Sequence, residues 1–173
     1  MKKIVLINGL IAGVIATSWT LGYMTLSHHD LNSNMGMIYG YASMILGFSL
    51  IFVGIKSYRD KQNGGVISFG KAFRMGLYIT LIASTMYVVA WEIMFYNTEL
   101  HNFGKTYSAH LLANMQKAGA SAADIARRRA ELQGWVEQYN NIFFNSAQTY
   151  MEILPVGLLV SLIAALVLKR KKI

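Results

Sequence analysis

Two carboxylates interrupt otherwise apolar sequence: Glu92 inside the stretch Ala72–Tyr96, and Glu152 inside Ala147–Leu168. A carboxyl carried into hydrocarbon is costly, and it marks a candidate proton or cation site. Arg74 precedes Glu92 by 18 residues and Lys169 follows Glu152 by 17. At about 1.5 Å per helical residue, both acids lie roughly 25–27 Å from those cations, at nearly one depth. Two carboxyls at one level in adjoining helices can share a proton or bind a cation. Pro155 sharpens the pairing, because it removes the helical bond to the Met151 carbonyl, one residue from Glu152. The plainer alternative is that both acids reach the outer headgroup layer. Tyr87, Trp91, Tyr96 and Tyr150 would surround them there as an aromatic belt.

The other reactive side chains offer less. His28, His29, His101 and His110, with Asp30 and Glu99 close by, have the donor types that suit zinc. Their spacing matches no standard site, and adjacent histidines cannot easily point at one ion. No metal is assigned; His28, His101 and His110 are the candidates for one, with polar surface histidines as the ordinary reading. The chain has no cysteine, so thiolate chemistry is excluded. Asn63-Gly64-Gly65 lacks the GxxxxGK[ST] pattern of a phosphate loop and reads as a flexible turn. Arg127, Arg128 and Arg129, with Trp135, form a candidate contact surface for a lipid phosphate or an acidic partner; a solvated helix face is the alternative. No nucleophile–base pair is present. The expectation is a protein that is not an enzyme and carries no cofactor.

These residues sit on four apolar stretches, Ile4–Leu26, Met35–Ile55, Ala72–Tyr96 and Ala147–Leu168. Each is long enough to cross a hydrocarbon core of about 30 Å as a helix of about 20 residues. In lipid every backbone polar group must be paired internally, which leaves helices as the sensible structure. The chain has 173 residues, of which 54% are hydrophobic and 14% charged, and reads as a single integral membrane domain over 1–173. Met1-Lys2-Lys3 followed by apolar residues resembles a signal peptide, but the run continues to Leu26 without a small-residue cleavage site, so it reads as a retained helix.

The net charge of +8 is explained by orientation rather than by nucleic acid. Lys2 and Lys3, then Lys56, Arg59, Lys61, Lys71 and Arg74, then Lys169, Arg170, Lys171 and Lys172 fall on one side, whereas the loop 27–34 has no Lys or Arg. The positive-inside rule places both termini and the 56–71 loop in the cytoplasm. The segment 97–146 then lies outside. Tyr107, Leu111, Leu112 and Met115 recur at helical spacing, and Gly119 offers a terminating position. Ser121 with Asp124 suggests a capping box, and Ile125, Leu132, Trp135, Val136 and Tyr139 form a second stripe. Asp124–Arg128 and Arg127–Glu131 are expected i,i+4 pairs. The predicted architecture is all-α: a four-transmembrane-helix bundle, N-in/C-in, with an extracytoplasmic helical hairpin over about 104–140. Small residues at helical spacing, such as Gly9 and Gly13, or positions 36, 40, 43, 47 and 54, predict close helix packing. Packing within one bundle is the simpler account; homo-oligomer contacts are the alternative.

Several stretches resemble DUF4199, an uncharacterised bacterial membrane family: GMIYGYASMI (36–45) leading to FVGIKSYRDK (52–61), NGGVISFGKAF (63–73), AGAS (118–121) and EILPVGLLVSLIAA (152–165). The resemblance implies a four-helix membrane protein and brings no assigned reaction or ligand. The functional expectation is a non-enzymatic accessory or scaffold protein of the bacterial cytoplasmic membrane. Its hairpin would face membrane lipids, another membrane protein or a second copy. A small proton- or cation-coupled transporter using Glu92 and Glu152 is the rival. An enzyme acting on lipid headgroups through His101, His110 or Glu99 ranks last.

Overall fold

The computed structural model describes residues 1–26 and 34–171, and every named element among them is a helix. In order these are α1 (Lys2–Leu26), α2 (Asn34–Phe48), α3 (Leu50–Gln62), α4 (Phe69–Asn97), a 3-10 turn at Glu99–Asn102, α5 (Phe103–Lys117), α6 (Ala122–Tyr139) and α7 (Ile142–Leu168). Among the described residues three segments are long and apolar enough to cross a membrane: Ile38–Gln62, Phe69–Asn97 and Ile142–Leu168. The all-helical class expected from sequence is what the chain adopts.

Element boundaries depart from the apolar stretches for local reasons. Helix α3 runs to Gln62 instead of stopping at Ile55, carrying Arg59 and Lys61 in its last turn, where cations complement the helix dipole. Helix α7 starts at Ile142 rather than Ala147, because the Asn141 side chain accepts from the backbone N–H of Phe143 (3.0 Å) and Phe144 (3.4 Å). Ser49 divides α2 from α3. Its amide is shared between the carbonyls of Ile45 (2.9 Å) and Leu46 (3.3 Å), and its hydroxyl donates to Leu46 at 2.6 Å. Such back-bonding serines bend helices without ending them.

The chain divides into two compact units, 1–90 with 150–173, and 91–149. In the first unit, Met44, Phe48, Ile51, Ile55, Met75, Ile79 and Ile153 form a fully buried core. Small residues set the helix separations around it. A Cβ on Gly47 would stand 2.8 Å from the Ala12 carbonyl oxygen, one on Gly76 would stand 2.8 Å from Ser161, and one on Gly157 would collide with Thr80 and Phe48. Thr80 and Ser161 hydroxyls meet at 3.1 Å across the same α4–α7 contact. The small-residue spacing is therefore used within the unit. Gly40 is the exception on α2, with no neighbour near its Cβ position among the described residues.

The basic segments gather at one end of this unit. The Met1 amine donates to Gln62 (2.9 Å), Arg59 donates to the Leu168 carbonyl (3.2 Å), and Ile67 and Arg170 exchange backbone bonds of 3.0 and 2.9 Å. The turn read from sequence as flexible is pinned. Gly64 and Gly65 take φ of 64° and 78°, conformations that favour glycine. The Asn63 side-chain carbonyl accepts from Tyr58 (3.2 Å) and Lys71 (3.0 Å), while its amide donates to Val66 (2.5 Å).

The second unit contains the hairpin. Helix α5 closes with the Ala118 and Gly119 amides on the Asn114 and Gln116 carbonyls, and Gly119 adopts φ 77°. Ser121 starts α6, accepting from the Asp124 amide at 3.1 Å while its hydroxyl donates to the Asp124 carboxylate at 2.7 Å. Both signals were legible in the sequence. The ion pairs need a correction: Arg127 pairs with Asp124 (3.1 Å) and Arg128 with Glu131 (2.8 Å), each at i,i+3. On a helix, residues three and four apart are both neighbours, so sequence spacing alone cannot choose between them.

Candidate functional site

Two features of the second unit bring polar side chains together. The first is a polar clasp between the end of α4 and the start of α7. Asn145 is fully buried, so each of its polar groups needs a partner. Its side-chain carbonyl accepts from Trp91 Nε1 at 2.8 Å, its amide donates to the Tyr139 carbonyl at 3.2 Å, and Thr149 donates to its backbone carbonyl at 3.0 Å. One residue along, the Ser146 hydroxyl donates to Glu92 Oε1 at 2.8 Å. Glu92 is 8% exposed. Its second oxygen, Oε2, is buried and has no partner among the described residues. Tyr96 completes the clasp by donating to the Asn140 carbonyl at 2.9 Å. The Phe95 ring meets Tyr139 edge-on at 5.6 Å, tying α6 to the same place.

The second feature is a groove of about 840 Å³ between α5 and α6. Leu112, Ile125, Leu132 and Val136 give it an apolar floor, while Gln116, Arg129, Gln133 and Lys105 with Glu137 supply its polar edge. Two helices cannot enclose each other's apolar stripes, so a channel stays open along the hairpin. Arg127 and Arg128 are both paired, but Arg129 and Lys105 form no ion pair among the described residues.

The expected site residues are distributed unevenly over these features. Glu92 belongs to the clasp. Glu152 belongs to the first unit, exposed on α7. Of the expected belt, Tyr87 and Trp91 are buried at 7% exposure and Tyr96 is exposed at 46%, while Tyr150 donates to Thr85 at 2.9 Å. Tyr87 and Trp91 are therefore packed among other side chains. Of the expected outer surface, Arg129 lines the groove. Trp135 packs between Tyr107 (6.0 Å) and Tyr139 (4.6 Å), its ring tilted against both. His101 contacts the Thr98 carbonyl through Nδ1 at 2.8 Å, and His110 is exposed on α5. His28, His29 and Asp30 lie outside the described residues. Among the described residues no three His, Asp or Glu side chains converge on a metal position.

Sequence reasoning missed Asn145 and Ser146, which precede the apolar stretch and were excluded by their own polarity. The available signal was Asn140-Asn141 as a helix start, which would have drawn Asn145, Ser146 and Thr149 into the helix. Lys105 was not connected with Arg129 either, because only antiparallel packing of α5 on α6 brings them to one groove.

The chain matches the model of a family described as "Protein of unknown function (DUF4199)" over residues 7–170, and it belongs to that family. Neither the curated proteins nor the solved structures contain a match to it.

Proposed function

We propose that this DUF4199 member is a non-enzymatic accessory or scaffold protein of the bacterial cytoplasmic membrane. It crosses the membrane four times, with α1 as the span added to the three long apolar segments, and presents the α5–α6 hairpin on the outer face to lipid or a partner. Helix α1 has 25 residues, ample for about 30 Å of hydrocarbon. The basic end of the first unit supports a cytoplasmic location for both termini by the positive-inside rule. The observation that carries the reading is the open α5–α6 groove, an apolar channel on a segment with its own caps and ion pairs.

A photoreactive amino acid at position 113, on the groove wall, tests this in native membranes. A discrete adduct is expected; absence of any adduct overturns the reading. Reporter fusions within 97–146 should report an outer location, and a cytoplasmic result overturns the arrangement. Glu92→Gln and Glu152→Gln should leave the adduct unchanged.

One observation favours the second reading, a proton- or cation-coupled transporter. The buried, unpartnered Glu92 Oε2 has the acceptor chemistry such a site needs. Flux measured in proteoliposomes under a proton or sodium gradient, and lost in Glu92→Gln, would establish that reading in place of the first.

A further inference from the structure

We propose that the α5–α6 groove holds one acyl chain of an anionic phospholipid drawn from the membrane the protein spans, with the lipid phosphate on Arg129. The inference rests on the reading above, that the hairpin is presented at the outer membrane face, and it names the occupant.

Three observations converge on this ligand. The first is dimension. From Arg129 the groove runs on along α6 to Glu137, about 12 Å along a helix axis and so most of the length of one chain. One leaflet of a hydrocarbon core about 30 Å thick is about 15 Å deep, the span of one lipid chain. The volume of about 840 Å³ falls within the range of small-molecule sites, about 300–1,000 Å³.

The second is charge. Three arginines stand in a row on α6, and two of them, Arg127 and Arg128, are paired with Asp124 and Glu131. Arg129, the one on the groove, has no ion pair among the described residues. A guanidinium can grip phosphate with two parallel donors, and Gln116 and Gln133 add amide donors to the same lining. Glu137 lies two turns along α6 from Arg129, at the end that Lys105 also lines. Its carboxylate disfavours a second anion there, which gives the groove a polarity: phosphate at Arg129, chain along Leu112, Leu132 and Val136.

The third is supply. The hairpin is joined through residues 98–102 and 140–141 to two segments long and apolar enough to cross a membrane. Bilayer phospholipid is therefore the amphiphile at the highest effective concentration.

The test uses the full chain in nanodiscs of phosphatidylcholine and phosphatidylglycerol, doped with phosphatidylglycerol carrying a diazirine on its acyl chain. After irradiation, lipid adducts are mapped by peptide. Adducts are expected on the peptides that hold Leu112, Leu132 and Val136. Arg129→Gln removes the phosphate contact and should reduce those adducts about tenfold, the size expected for one charge-assisted contact. Ala109→Trp, which fills the groove from an exposed position, should reduce them comparably. Labelling of the exposed Leu159 and Val167 on α7 reports that each variant is folded and embedded, and it should not change. Hairpin adducts that are absent, or that persist undiminished in both variants, overturn the proposal. The photoreactive residue at position 113 separates the two levels of inference. A protein adduct without a lipid adduct overturns the lipid occupant and keeps the presented hairpin. No adduct of either kind overturns both.

Discussion

The first unit and the hairpin of the second solve the same packing problem by different means. Around the first unit's core, polar side chains mostly fold back on their own helices: Ser43 to Gly40, Thr85 to Leu81, Ser161 to Gly157. The helices then approach closely through Gly47, Gly76 and Gly157, and large apolar residues such as Ile45, Leu46, Leu159 and Val167 face outward at 58–66% exposure. This is how helices associate where lipid competes for apolar contact and little is gained by burying it. The hairpin uses the devices of water-soluble helices: a capping box at Ser121, a left-handed Gly119 stop, ion pairs along α6 and an aromatic row at Tyr107, Trp135 and Tyr139. The difference teaches that close backbone approach and local caps with ion pairs are two separate routes to a packed helical unit, and that the second route leaves an apolar floor open between α5 and α6.

The largest effect should come from breaking the close approach in the first unit. Gly157→Leu forces a side chain into Thr80 and Phe48, and overpacking of that kind costs about 1–3 kcal/mol or more. A fall in melting temperature in detergent, with loss of monodisperse protein, is expected. Gly134, on an exposed face of α6 with nothing near its Cβ position, is the control. Gly134→Ala should stabilise by about 0.5–1 kcal/mol because a helix-interior glycine is replaced. Equal effects at the two glycines would erase the contrast.

Next in size is the clasp. Asn145→Ala leaves Trp91 Nε1 without its buried acceptor and should cost about 1–3 kcal/mol. Limited proteolysis should then cut near 140–145 sooner than in the parent chain, while the Ile67–Arg170 end stays protected. Protection that is unchanged would show that the clasp is not what holds α7 to α4 in this unit.

Ser121→Ala is smaller, about 1 kcal/mol for loss of an N-cap. Hydrogen exchange should quicken at the amides of residues 122–125, with α4 unaffected. The smallest effect belongs to Arg127→Ala. An exposed ion pair contributes about 0.2–1 kcal/mol and is screened by salt, so any change in melting temperature should vanish at high ionic strength. A salt-independent loss would mean that Arg127 packs instead of pairing.

How much of this was legible can be read residue by residue. Helix class, the apolar segments, Gly119 as a stop and Ser121 as a cap follow from period, hydropathy and local backbone chemistry, all of which act within a few neighbouring residues. The same locality explains why the cations could be grouped in advance: each lies beside a helix end. The division of labour among Arg127, Arg128 and Arg129 was not legible, because three consecutive residues on a helix face three directions, and only the position of α5 decides which of them borders a groove.

The sequence by itself determined that this chain is helical, that long parts of it are apolar enough for a membrane, and that a capped helical hairpin is inserted between two such parts. These are properties of composition and short-range order. Tertiary structure decided that Glu92 is met by Ser146, 54 residues away, that Asn145 is the buried hub beneath Trp91, and that Asn63 pins the glycine turn. Those pairings depend on which helices adjoin and in what register. Register is fixed by how side chains of different size interlock across an interface, and no single stretch of sequence contains both sides of it.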